Sequence, residues 1–469
     1  MSLQSKAVAQ SHAIGPSPVS RLKPHTIVPP ARAPGKLGFV ARFVRNPLLV
    51  VPQPVYEQDF VAYSGGARPL VWVTEPTLIK TILLDERDAY QKLAQIRLLS
   101  PLLGKGILTS EGADWKWQRQ TSAPMFRHQE VMSFVPEFVR ASDDMLARWR
   151  QAEPGAVHLI DQEMTRVTFD VISATLLPSA DHTVGVAVER STAHFLQAGA
   201  WAQLYAITNM PRWLPRPGRT RMELATRQLR DAVAAMLKEH RASDADRDDL
   251  MGRLMRSRDP ETGQLMNEEQ LIDNLLTFYL AGHETTAKAL TWTLYILSQS
   301  PEWTAALAEE IARVAGGQPI SAAHIDQLVL TGQVVKESMR LYPPVPMVTR
   351  QAVRDARLGP HDIKAGTSIV MPIYAIHRHR KRWQDPEVFD PSRFAPDKEG
   401  AISRYQYMPF GAGPRICIGM AFALVEATAI LARILQHARF EAPAGYVPTP
   451  IGRVTLMPKG GMPLKVTML

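Results

Sequence analysis

The residues best placed to do chemistry lie in one short stretch, "FGAGPRICIG", Phe410 to Gly419, which holds the chain's single cysteine, Cys417. One cysteine in 469 residues excludes an intrachain disulfide framework and any multi-cysteine zinc or iron–sulfur centre. What remains is an inert core thiol, a nucleophile or a single metal ligand. Gly411 and Gly413 allow backbone angles that other residues resist, and Pro414 stiffens the turn. Gly419 leads into an apolar helical run from Met420 to Ala438, so the thiol sits where a helix begins. Unpaired N–H groups and partial positive charge at that end favour thiolate, and can also hydrogen-bond a metal-bound sulfur. A glycine two residues beyond the cysteine lets a flat ligand lie against the backbone. Arg415 puts a cation near any anionic group of that ligand.

A second stretch, "AGHETT", Ala281 to Thr286, falls inside a helical segment from Leu271 to about Ser298. Gly282 within a helix costs about 1 kcal/mol against alanine, and four polar residues interrupt an otherwise apolar stripe. A threonine hydroxyl can bond back to the preceding turn and open the helix locally. Beside a carboxyl, such a hydroxyl can relay protons into a pocket that otherwise excludes solvent. A third stretch, "KESMRLYPP", puts Glu337 and Arg340 one helical turn apart, where they can pair. Its helix must end near Tyr342, because two prolines follow. The same spacing recurs at Glu163 and Arg166 and at Glu310 and Arg313, so spacing alone singles out none of them.

These stretches need a scaffold, and the rest of the chain reads as one. A β-like stretch, Val50 to Ala62 and then Pro69 to Val73, precedes a long helix-rich middle. There, residues 133–152 and 227–255 carry apolar side chains at three- and four-residue spacing. From about Leu341, prolines, short apolar runs and turns dominate until the final helix. The fold expected is mostly α with a smaller β-rich portion, in a single large domain over residues 37–469. Residues 1–36, rich in proline and serine, read as a disordered arm. The formal charge of +9 is scattered along the chain. Its densest run, His377 to Arg382, lacks the interleaved aromatics of a single-strand platform and reads as a solvated turn, so no nucleic acid is expected. No apolar segment is long enough to cross a bilayer, and no transmembrane anchor is expected.

The pattern F-x-x-G-x-R-x-C-x-G, met at Phe410, Gly413, Arg415, Cys417 and Gly419, closely resembles the haem-binding loop of the cytochrome P-450 family. The resemblance implies that fold, with Cys417 as thiolate ligand to the iron of haem b (iron protoporphyrin IX) and with Phe410, Gly411, Arg415 and Gly419 around it. "AGHETT" is similar to the family's oxygen groove. It implies Ala281 and Gly282 as the groove, Thr285 and Glu284 as the catalytic proton relay, and His283 as a bystander. "WKWQR" matches W-x-x-x-R at Trp115 and Arg119. With Arg350 after "PPVPMVT" and His377 in "AIHRHRKRW", these are the implied contacts to the cofactor's carboxylates. Glu337, Arg340 and Arg393 of "FDPSRF" resemble the family's structural triad.

The function so implied is a monooxygenase that inserts one atom of O2 into a hydrophobic small molecule, by hydroxylation or epoxidation, and reduces the other to water. Electrons would come from NAD(P)H through a separate ferredoxin or flavodoxin with its reductase, steered by basic residues such as Lys116 and Arg127. Residues 95–110, 195–215 and 345–348 are expected to roof the substrate pocket. The setting implied is cytoplasmic, soluble and bacterial. Two alternatives use the same cofactor: peroxide-driven, isomerising or dehydrating chemistry, and a haem-based sensor or carrier. The Glu284 and Thr285 pair speaks against both, since neither needs protons delivered to dioxygen.

Overall fold

The axis of the molecule is a 31-residue helix, Glu268–Ser298, about 46 Å long. It starts at a capping box: Asn267 accepts the Gln270 N–H at 2.9 Å, and the Gln270 side chain accepts the Asn267 N–H at 3.0 Å. The helix is buried on nearly all sides along its second half, as expected of a helix apolar around its circumference. Helices Ile160–Leu176, Arg219–Ala242, Val329–Leu341 and Met420–His437 pack around it. The coordinates, a computed structural model, describe residues 21–63, 69–176, 200–208, 210–211, 213–215, 217–242 and 250–469. Among them Met420–His437 alone is long and apolar enough to cross a membrane, and most of it is buried inside the molecule.

The β portion is small. A five-stranded sheet runs in the order Phe60–Tyr63, Leu70–Val73, Ser368–Met371, Val348–Ala352, Tyr90–Gln91, with the second and third strands parallel. A three-stranded sheet pairs Pro463–Met468 with Val157–Leu159 and Ala438–Glu441. The expected β stretch from Val50 is a strand only at its end. Pro47–Val50 and Gln53–Tyr56 are 3-10 turns, each with a proline in its first two positions presetting φ for a tight turn. The 227–255 segment is likewise two helices, Arg219–Ala242 and Leu250–Arg256, with 243–249 outside the described residues.

Two other expectations change. Residues 21–34 carry no regular structure but are tied to the body rather than disordered, while residues 1–20 lie outside the described residues. Phe389 N–H donates to Leu22 O at 2.9 Å, Gln53 N–H to Pro30 O at 2.8 Å, Tyr63 Oη to Pro34 O at 2.8 Å, and Tyr342 Oη to His25 O. Proline removes donors from this arm but leaves carbonyls, and donors on the body satisfy them. The basic run is not a solvated turn either: His377, Arg378 and His379 are all buried. Arg378 stacks 3.8 Å from the Tyr374 ring and pairs with Glu387 at 3.1 Å, while Arg380 pairs with Glu57 and Arg382 with Asp59.

Glu337 and Arg340, both fully buried, form a bidentate pair at 2.7 and 2.8 Å. Arg340 also donates to the carbonyls of His377 (2.7 Å), Pro386 (2.7 Å) and Val388 (3.0 Å). Arg393 Nε approaches Glu337 at 3.5 Å without a hydrogen bond. Arg340→Met should therefore lower the free energy of urea unfolding by about 3–5 kcal/mol, because Glu337 is left as an uncompensated buried charge. Arg393→Met should cost distinctly less, and equal losses would mean that the triad shares its load evenly.

Candidate active site

The Cys417 loop folds on itself before it meets anything else. Cys417 N–H donates to Phe410 O at 2.9 Å and Ile416 N–H to Gly413 O at 3.1 Å, with Gly411 and Gly413 both at φ +71°. A Cβ on Gly413 would stand 2.6 Å from Leu83 O, so backbone approach as well as φ demands glycine. Arg119, on helix Gly112–Ser122, anchors the loop by donating to Ile416 O at 2.9 Å.

The Cys417 sulfur faces a cavity of about 380 Å³ between this loop and the long helix. The residue is exposed to that cavity yet lies deep inside the molecule. Burial pushes the thiol up, with the Gly419 N–H and Arg119 pulling the other way. The helix start thus opposes burial without overcoming it. Apolar side chains dominate the wall, among them Leu102, Leu103, Ile107, Phe278 and Val348.

One side of the cavity carries an excess of cations. Arg350, on the five-stranded sheet, makes one side-chain hydrogen bond among the described residues, to Thr349 O, and burial lowers its guanidinium to about 10. Lys92 donates to Leu108 O at 2.7 Å and stands 3.6 Å from Glu111; burial, then Arg415 against the pull of Glu111, lowers it to about 7. Arg415 lies between the Trp115 ring at 3.9 Å and Glu111, and its buried Nη1 has no partner among the described residues. Glu111 is the carboxylate facing all three.

The residues present fit haem. The orphaned Arg415 N–H and the cations depressed by burial have one carboxylate, Glu111, between them among the described residues, and haem brings two more. Gly419 makes the same point at the sulfur. A Cβ there would meet only Phe126 at 3.9 Å and Cys417 Sγ at 4.0 Å, so no protein atom demands glycine, and a side chain would fill the space beside the sulfur.

Across the cavity, Thr285 Oγ1 donates to Ala281 O at 2.8 Å, and the helix stays continuous through this turn rather than opening. Gly282 has a packing reason: its Cβ would lie 2.6 Å from Ile172 Cδ1 on helix Ile160–Leu176. Glu284 is buried and held at 3.3 Å by both Lys288 Nζ and Thr455 Oγ1, and Lys288 also donates to Thr165 at 3.3 Å. His283 turns to the Tyr279 carbonyl and the Phe169 ring edge, and burial lowers its pKa. Behind Thr286, Glu426 is fully buried with neither oxygen in a well-formed hydrogen bond. Burial pushes its carboxyl well above the usual range, offset only partly by the Thr286 hydroxyl.

The cavity brings together Trp115, Arg119, Ala281, Gly282, Glu284, Thr285, Arg350, Phe410, Gly411, Arg415, Cys417 and Gly419. Glu337, Arg340 and Arg393 lie outside it, and so does His377. The His377 ring is spent on the protein itself: Nδ1 faces Arg340 O at 3.1 Å and Nε2 accepts the Met408 N–H at 2.9 Å. Burial and Arg340 lower its pKa to about 3, so it is neutral and carries no charge for a carboxylate. Lys92, not His377, lines the cavity beside Arg350 and Arg415. No local pattern marks it. Of the expected roof, residues 95–110 and 345–348 contribute lining side chains; within 195–215 the described residues contribute none, and 195–199, 209 and 212 lie outside the described residues.

A family model described as "Cytochrome P450" matches residues 53–465. The chain is 30% identical to cyclooctatin synthase of Streptomyces melanosporofaciens over 89% of its length and 90% of that protein. It is 32% identical to cytokinin hydroxylase of Arabidopsis thaliana, over 87% of this chain and 80% of the relative. It is also 32% identical to secologanin synthase 2 of Catharanthus roseus, over 84% and 78% respectively.

Glu426 gives a stability test with a definite sign. Its folded value lies well above its ordinary 4.5, so the unfolded chain releases this proton as pH rises while the fold retains it. Folding therefore weakens from pH 4.5 upward, by at most about 1.4 kcal/mol per unit, until the folded value is reached. Glu426→Gln removes the term. The melting temperature of the variant should gain on wild type between pH 5 and pH 8, and a constant difference would place an ionised carboxylate in the fold.

Proposed function

Since the chain belongs to the cytochrome P450 family, we propose that its cavity holds haem b, with Cys417 as the thiolate ligand to iron and Arg350, Arg415 and Lys92 as the partners of its carboxylates. The protein is a haem-thiolate monooxygenase, using O2 and electrons from a redox partner to oxidise a hydrophobic substrate. When bound, haem supplies the activation of dioxygen, one atom going to substrate and the other to water at a cost of two electrons and two protons. The observation that carries the assignment of residues is a lone cysteine on an apolar-walled cavity where, among the described residues, three rim cations share one carboxylate, Glu111.

The protein's own groups divide the remaining work. Gly419 N–H and Arg119 lie near the sulfur and favour its anionic form. Apolar walls keep bulk water from the reacting centre. Thr285 Oγ1 rests on Ala281 O, and the residue lines the cavity, where the hydroxyl can turn to donate. Glu284 stands next to it in sequence with its carboxylate held by Lys288, and Lys288 reaches Thr165, which is only half-buried. That chain of polar groups is the proposed supply line for protons into the cavity.

Electrons would reach this face from NAD(P)H through a ferredoxin or flavodoxin, in a bacterial, cytoplasmic setting. Lys116 and Arg127 are exposed and available to steer an acidic partner.

The absorption spectrum of the dithionite-reduced protein under carbon monoxide tests the ligand. A strongly red-shifted Soret band is expected in the wild type and its loss in Cys417→Ala. A histidine-type carbonyl band in the wild type would overturn the assignment. In turnover, Thr285→Ala should keep that spectrum while product per NAD(P)H falls about 10-fold or more, in the range of a lost proton-transfer group, with reductant diverted to hydrogen peroxide. Unchanged coupling would remove Thr285 from the relay.

A further inference from the structure

Residues 102–108 supply Leu102, Leu103, Ile107 and Leu108 to the cavity wall, yet this loop has no regular structure at its centre. Side chains from three different helices hold it in place. Asp273, on the long helix and almost fully buried, accepts the Lys105 N–H at 2.7 Å through Oδ2 and Arg230 Nη1 at 2.7 Å through Oδ1. The neighbouring Asn274 accepts the Ile107 N–H at 2.9 Å, and Gln118 donates to Lys105 O at 3.0 Å. Arg230, on helix Arg219–Ala242, also donates to Leu102 O at 3.3 Å. The loop's glycines match this arrangement. A Cβ on Gly104, at φ +47°, would stand 2.1 Å from Asp273 Oδ2, and one on Gly106 would stand 2.4 Å from Thr277 Oγ1.

We propose that Arg230 and Asp273 are positioning residues that latch this wall to the long helix, fixing the shape of the substrate end of the cavity and slowing escape of whatever fills it. The latch spans separate elements, so it is made only while helix Arg219–Ala242 lies against the loop. Arg230 is about one-quarter exposed and Asp273 is not, so water can compete for the cation while the carboxylate stays buried. Once Arg230 leaves, Asp273 is a buried charge lacking its cation, and the Lys105 N–H bond must carry it alone. Loss of the latch is therefore felt first in the loop backbone. The assignment rests on reading the cavity as the substrate site.

The test uses the haem-loaded protein and two readouts. The first is hydrogen exchange at the Lys105 and Ile107 amides. The second is the dissociation rate of 4-phenylimidazole, followed by its absorption shift. In Arg230→Met both should rise about 10- to 100-fold, the loss of one charge-assisted hydrogen bond, while amides in the second half of the long helix keep their protection. Arg230→Lys should recover part of both changes. Exchange at the two amides that is unchanged, or that rises only together with the whole helix, would overturn the latch. A wild-type protein that exchanges slowly at Lys105 and Ile107 but gives no shift with the imidazole would instead indict the cavity's assignment.

Discussion

Arg340 is the constraint on which the site depends. Its guanidinium spends its donors on the Glu337 carboxylate and on three carbonyls from the stretch between His377 and Val388, which is almost devoid of regular structure. Without helix or sheet to pair them, those carbonyls would be buried and unsatisfied. The same interaction leads to the sulfur. Arg340 O faces the His377 ring, His377 accepts the Met408 N–H, and Met408 O accepts the Gly411 N–H that opens the Cys417 loop. A helix therefore sets the height of a loop with which it shares no sequence, through one cation and one neutral imidazole.

What the fold builds around the sulfur is electrostatically incomplete. Burying a guanidinium or an ammonium is unfavourable unless a counter-charge comes with it, and among the described residues Arg350, Lys92 and Arg415 share one carboxylate, Glu111. Glu337 with Arg340 and Glu284 with Lys288 show that this chain closes buried charges in pairs elsewhere. The rim departs from that habit, and its missing anions are those a dicarboxylate cofactor carries.

The helical core and most of the site are legible in the sequence because they rest on short-range patterns. Cys417, Arg415 and Gly419 sit within five residues of one another. Glu284 and Thr285 are neighbours, and the 3.6-residue rhythm of Leu271 to Ser298 anticipates the long helix to within three residues at its start. What escapes is set by distant packing. Lys92 acquires its role only because Arg350 and Arg415 arrive from 258 and 323 residues later in the chain. The run from His377 to Arg382 looks solvated by composition, but Tyr374, Glu387, Glu57 and Asp59 surround it with partners that no local window contains. His377 was legible as functional by position in the family's order and fails as a cation because its ring is consumed by Arg340 O and Met408 N–H.

The tethered arm has a consequence for the order of events in folding. Ile27 reaches Tyr374 across 347 residues of sequence and His25 reaches Tyr342 across 317, and Leu22 is held by Phe389. Contacts of such separation demand closure of a loop of more than 300 residues, and that entropy is recovered only after the intervening elements have condensed. During synthesis the arm leaves the ribosome more than 300 residues before the surface it docks on. The start of the described chain is thus a late seam, closed when the segment that carries Arg340's carbonyl partners is already in place.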